Sequence, residues 1–180
     1  MAAKDLNISE EQYATLCRHP VRVRLLANQL IAEDGGIVTR ILRRGPGTIA
    51  RLKAAGNYTG HCDPDVTDEA FQSKGEGKAP VRYRTLSGDD FKKGDVVYRL
   101  DVEAAFLKVG ARFPDPDEAL LPPAEDDTIG RDGKLYVAFI DGSQDAFIVG
   151  EYDDGQRVLK RHGGGGYFSS CNIYIGVVCE

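Results

Sequence analysis

Tryptophan is absent from this chain and methionine occurs once, so seven Phe, eight Tyr and the aliphatic residues are left to build any core. No run of about 18 apolar residues occurs, which argues against a membrane-spanning helix. The first ten residues are polar where a signal peptide carries an apolar stretch, so neither a membrane partner nor secretion is expected. Cysteine is scarce, at positions 17, 62, 171 and 179, and none of the four forms a Cys-x-x-Cys pair. Zinc ribbons, thioredoxin-like redox motifs and disulfide scaffolds therefore lose support, and the expectation is reduced, mostly buried thiols.

What is present fits a globular chain. With 180 residues, 42% hydrophobic and 28% charged, it has the size and composition of one domain, spanning 1–180, that buries most of its apolar surface. Its 21 glycines predict many turns. The net charge of -5 is unevenly spread: residues 1–60 hold nine Lys or Arg against five Asp or Glu, and the remainder holds fourteen against twenty-three. A basic front and an acidic back suit head-to-tail contact with copies of the same chain or a place between unlike partners. Arg40, Arg43 and Arg44 are the candidate interaction residues in the basic part. They are not interleaved with aromatics, which disfavours a specific nucleic-acid module and leaves passive contact with a duplex open.

The periodicity predicts an α+β protein, a helical N-terminal segment (1–36) packed on a mostly antiparallel sheet (37–180). Ser9 and Gln12 stand at capping-box spacing, His19-Pro20 interrupts the helix they open, and Val21, Leu25, Leu26, Leu30 and Ile31 recur at helical intervals until Gly35-Gly36. Residues 37–43 are β-rich, the turn at 44–47 follows, and 48–52 continues in the same β-prone region. Strands are expected at 80–86, 95–101, 134–140, 146–152, 157–160 and 167–178. Residues 102–109 suit a helical turn or a strand equally. Segments 56–79 and 110–132, the latter holding Pro114, Pro116, Pro122 and Pro123, read as two long loops. Short strands separated by turns predict a small barrel or sandwich.

Few constellations suggest chemistry. His162 precedes Gly163, Gly164 and Gly165, a match to the oxyanion-hole element of esterases, yet no Gly-x-Ser-x-Gly elbow accompanies it. Cys171 and Ser170 are the nearby nucleophiles; His162 paired with either is the enzymatic alternative, a small hydrolase or transferase. His61, Cys62, Asp63, Asp65, Asp68 and Glu69 form the densest group of ligand-type residues. That group lacks the central glycine and terminal Glu of a calcium loop, and adjacent His and Cys seldom chelate one tetrahedral ion, so neither a metal nor a cofactor is expected. The acidic pairs at 89–90, 126–127 and 153–154 sit in turn-forming text.

The order of segments is similar to another kind of protein. The run Leu30-Ile31-Ala32-Glu33-Asp34-Gly35-Gly36-Ile37-Val38-Thr39-Arg40, then Ala119-Leu120-Leu121-Pro122-Pro123, then Asp132-Gly133-Lys134-Leu135-Tyr136-Val137 resembles the head-tail joining, or head-closure, proteins of tailed bacteriophages. The resemblance implies a non-enzymatic virion structural protein built on a compact β-barrel and arranged as a ring between portal and tail or elsewhere on the particle. It implies copies of the chain and neighbouring virion proteins as partners, contact with packaged DNA, and assembly in the host cytoplasm. Such proteins act through surfaces, so no catalytic residue follows from it. A soluble interaction or inhibitor protein is the other non-enzymatic alternative.

Overall fold

The computed structural model describes residues 37–88, 96–131, 133–163, 167–169 and 171–179. The helices expected before Gly36 lie outside these residues, as do Ser170 and the pair at 89–90. Residues Val38–Glu180 belong to one compact unit. In chain order its elements are β1 (Ile37–Arg44), α1 (Thr48–Ala55), β2 (Gly77–Ser87), β3 (Val96–Tyr98), α2 (Arg99–Lys108), β4 (Ala111–Arg112), α3 (Pro116–Glu125), β5 (Tyr136–Phe139), β6 (Ala146–Glu151), β7 (Arg157–His162), β8 (Tyr167–Ser169) and β9 (Ile173–Val178). The α+β reading holds among the described residues.

Seven strands form one mixed sheet in the order β1-β2-β9-β5-β6-β7, with β4 paired to β9 beside β5, and β3 with β8 forms a separate ribbon. The pairings of β9 with β2 and of β5 with β6 are antiparallel; β5 and β9 run parallel through Tyr136↔Ile173 and Val137↔Tyr174. The sheet is open, which corrects the expected barrel or sandwich. The reason is visible in β5, whose four residues are all buried and divide between two cores. Tyr136 and Ala138 join Leu42, Val81, Tyr83, Ile175 and Val177 under α1 and α3, while Val137 and Phe139 join Phe106, Phe113 and Tyr174 under α2. A closed barrel has one interior, whereas a strand buried on both faces needs cover on both. Each large side chain so buried contributes roughly 1.5–3 kcal/mol.

Three segments differ from the sequence expectation, at 48–52, at 99–101, where the expected strand 95–101 gives way after Tyr98 to α2, and at 167–178; by sequence 102–109 is open to either form. Residues 48–55 are helical, because Ala, Leu and Lys dominate them and because Asp68 caps them from a distance: its carboxylate accepts from the N-H groups of Ile49 and Ala50, both at 3.0 Å. The stretch left open at 102–109 belongs to α2, with Asp101 in the first turn, Lys108 in the last, and Val102 and Phe106 turned inward. Phe106 lies so close over Gly176 that a Cβ there would sit 2.7 Å from its ring, so the missing side chain is what lets α2 approach the sheet. The expected strand at 167–178 is interrupted at the turn before Ile173, giving β8 and β9.

The two long loops fare differently. Segment 56–76 is irregular but anchored. Val66 and Phe71 are buried in the first core, Phe71 edge-on to Phe147 at 4.9 Å, and Cys62 bridges the outer edge of β7 at Leu159. That bridge covers one end of the sheet. Segment 110–132 is not a loop, since it holds β4 and the buried helix α3. Proline caused the misreading. Pro122 and Pro123 lack the N-H groups that would bond the carbonyls of Glu118 and Ala119, and two tyrosines of the sheet supply substitutes. The Tyr83 hydroxyl donates to Glu118 O at 2.8 Å and that of Tyr136 to Ala119 O at 3.5 Å.

Candidate functional site

Asp115, Pro116, Asp117 and Glu118 begin α3 in the order an N-terminus favours: an N-cap acid, proline at N1, and glutamate at N3, whose Oε2 accepts from the Asp115 N-H at 2.8 Å. This brings three carboxylates together inside the protein, where the helix dipole favours them. Cations arrive from three other segments. Arg44 of β1 places Nη2 2.7 Å from Glu118 Oε1 and Nε 3.3 Å from Asp117 Oδ2, the latter an ion pair without an aligned hydrogen bond. Arg112 of β4 grips Glu118 with both Nη atoms, at 2.9 and 3.0 Å. From the loop, Lys74 Nζ lies 2.7 Å from Asp115 Oδ1, and the Ser73 hydroxyl donates to Asp117 Oδ2 at 2.6 Å.

Asp117 is wholly shielded from solvent. Burial pushes its carboxyl pKa up, against the opposing pull of Ser73 and Arg44. The Lys74 pKa is raised too, for a different reason: its hydrogen bond to Asp115 favours the charged ammonium. The cluster ties β1, β4, the loop and α3 into one body. Its acids are matched by cations at close range, so its chemistry is that of a clamp.

Beside the clamp lies a cleft of about 440 Å³ lined by Pro80, Val81, Arg82, Arg112, Val177 and Cys179, among others, with Glu118 at its clamp side. The cleft exists because β2 is longer than its partner. β9 covers Tyr83 to Ser87, and the part of β2 before Tyr83 runs past the end of β9.

The residues singled out from sequence are dispersed. Arg44, one of the candidate interaction residues, is an internal clamp residue, its side chain 13% exposed and drawn inward by the acids of α3. Arg40 pairs with Glu125 at 3.0 Å on the same side of the sheet, and Arg43 alone of the three is exposed. His162 is exposed with its ring edge-on to Phe168 at 5.2 Å. Cys171 and Cys179 are exposed and Cys62 is half-buried, which corrects the expectation of mostly buried thiols: Cys171 occupies a turn and Cys179 follows the last strand. In the group at 61–69, Asp68 caps α1 and Asp63 accepts from the N-H groups of Asp65 at 2.9 Å and Arg161 at 3.1 Å. Despite desolvation, those bonds lower the Asp63 pKa. No cluster of metal-ligand type is found among the described residues.

Sequence reasoning missed the clamp, although Asp-Pro-x-Glu was a legible helix start. It also missed Arg157, which is completely buried and donates to the carbonyls of Gly56, Pro123 at 2.9 Å, and Ile129 at 3.2 Å, joining the end of α1 to that of α3. Comparison of the chain with family models, curated proteins and solved structures finds no match.

Proposed function

We propose that the chain is a non-enzymatic assembly protein of a tailed-phage particle, of the head-tail joining or another capsid-associated kind, built up in the host cytoplasm and acting through contacts with copies of itself and with neighbouring virion proteins. The observation that carries this reading is the outer face of α2. Leu100 and Leu107, 75% and 66% exposed, stand seven residues apart with exposed Ala104 between them, and Tyr98 just before the helix and Val109 just after it are also exposed. Residues four and seven apart share one side of a helix, so this stripe is continuous and points away from Val102 and Phe106, which face the sheet. A contiguous apolar face on an otherwise charged surface favours protein association. The resemblance in sequence and the uneven charge along the chain favour a second copy as its occupant.

Sedimentation velocity over a concentration series tests it. Wild type forms oligomers as concentration rises, and the Leu100→Ser/Leu107→Ser variant stays monomeric with an unchanged melting temperature, since both side chains are already in solvent. A monomeric wild type throughout the series, or a variant that assembles like wild type, overturns the reading.

A further inference from the structure

The two faces of the sheet at its β1–β2 end are unlike. Leu42, Val81 and Tyr83 lie in the first core, and Arg40 and Arg44 reach the acids of α3 on that side. Alternation therefore puts Thr39, Ile41 and Arg43 of β1 with Lys78, Arg82 and Arg84 of β2 on the opposite face. Thr39, Ile41, Arg43, Lys78 and Arg82 are exposed. Neither strand contains an Asp or Glu. Among the described residues Arg43, Lys78, Arg82 and Arg84 have no carboxylate within 4 Å, as is also true of Arg51, Lys53, Arg99, Lys108, Arg157 and Lys160; the four are set apart by sharing one face, whereas Arg40, Arg44, Lys74, Arg112, Arg131 and Arg161 are paired. In a chain of net charge -5, an unneutralised basic face is a local specialisation.

We propose that this face of β1 and β2 binds the phosphate backbone of double-stranded nucleic acid through Arg43, Lys78, Arg82 and Arg84. Three of the four are guanidinium groups, which bond phosphate oxygens in pairs. Lys78 to Arg84 spans about 20 Å of extended strand, a length over which a duplex presents several phosphates. Among the described residues Ile41 is the one large exposed apolar side chain that β1 and β2 put on this face, so the face lacks the apolar centre of a protein interface. Tyr83, which stands between Arg82 and Arg84 in the chain, is buried on the opposite side, so no aromatic of β1 or β2 is offered to the bases and binding is independent of sequence. Arg84 is half-buried and its Nη1 also donates to Val109 O at 3.5 Å, so the surface borders the C-terminal end of α2; it does not include Leu100 or Leu107 and does not depend on the assembly reading.

Fluorescence anisotropy of a short labelled DNA duplex, titrated with the full chain at several salt concentrations, tests it. Wild type binds at low salt, and the log of its affinity falls against log salt with a slope of about -3 to -4, as four phosphate contacts require. Arg43→Gln/Lys78→Gln/Arg82→Gln loses at least about tenfold in affinity at low salt and retains a slope of about -1. Arg40→Gln, altered on the opposite face, binds as wild type does, and circular dichroism shows all variants folded. Absence of binding by wild type, equal binding by the triple variant, or tighter binding of a polyglutamate peptide than of the duplex overturns the proposal; the last would assign the face to an acidic protein partner. Assembly is read separately by sedimentation of the Leu100→Ser/Leu107→Ser variant, so the two readings fail independently.

Discussion

At the scale of single residues, several charged groups among the described residues are engaged with the protein's own backbone and with each other. Arg157 gives up solvent entirely to hold carbonyls that would otherwise be orphaned at the ends of two helices, a role no ammonium could fill with its fewer, undirected donors. Asp117 has the opposite character, since burial makes its charged form costly and raises its pKa above the ordinary value of 3.8. A carboxyl that binds its proton more tightly when folded contributes stability below its unfolded pKa, and that contribution is lost as pH rises through the folded value. Asp63 and Asp145, whose pKa values are lowered, act in the reverse sense and lose stability as pH falls. Asp117→Asn removes the opposing contribution. Urea denaturation at closely spaced pH values just above the ordinary carboxylate range should therefore show stability rising more steeply with pH in the variant than in wild type; parallel curves would mean that Asp117 titrates normally.

At the scale of elements, α3 shows how local preference is overridden. Two prolines near its C-terminal end deprive two carbonyls of their helical donors, and the sheet below supplies tyrosine hydroxyls in the same places. Tyr83→Phe leaves the Glu118 carbonyl buried without a donor, at a cost of about 1–3 kcal/mol. In a Pro122→Ala background the backbone N-H is restored, so the same tyrosine substitution costs less, and a double-mutant cycle measured by denaturant unfolding should give a coupling of about 1 kcal/mol. Additive effects would show that the hydroxyl does not stand in for the missing amide. The capping of α1 by Asp68 is a second case of the same device. A short helix preceded by Gly47, which has no side chain to cap with, borrows a carboxylate from a loop.

At the scale of the whole molecule, the sheet separates its surfaces by kind. The acid-rich clamp faces one side of β1 and β2, the basic face occupies the other, and the apolar stripe of α2 lies outside the second core. His162 and Cys171, suggestive of an enzyme, are not part of any of the three. His162→Ala/Cys171→Ala should therefore leave the sedimentation profile and the duplex affinity unchanged, with a modest loss of stability from the lost His162–Phe168 contact. A change in either profile with the melting temperature preserved would give those residues a functional part.

Chain sequence alone determined the local text of this protein: the strand preferences at β1, β2 and β5 to β7, the turns between them, the α+β class and the unequal distribution of charge. Those follow from periodicity, glycine and composition, which act over a few residues. Whether a run of prolines and acids formed a loop or a helix depended on donors from Tyr83 and Tyr136 and on cations from Arg44, Lys74 and Arg112, which are distant in the chain. The open sheet was decided in the same way, since Val137 and Phe139 needed a second core that only α2 and the β3–β8 ribbon complete. Of the three arginines marked from sequence, the tertiary structure turned Arg40 and Arg44 toward acids of α3 and left Arg43 in solvent, because one residue of register on a strand reverses the face a side chain occupies.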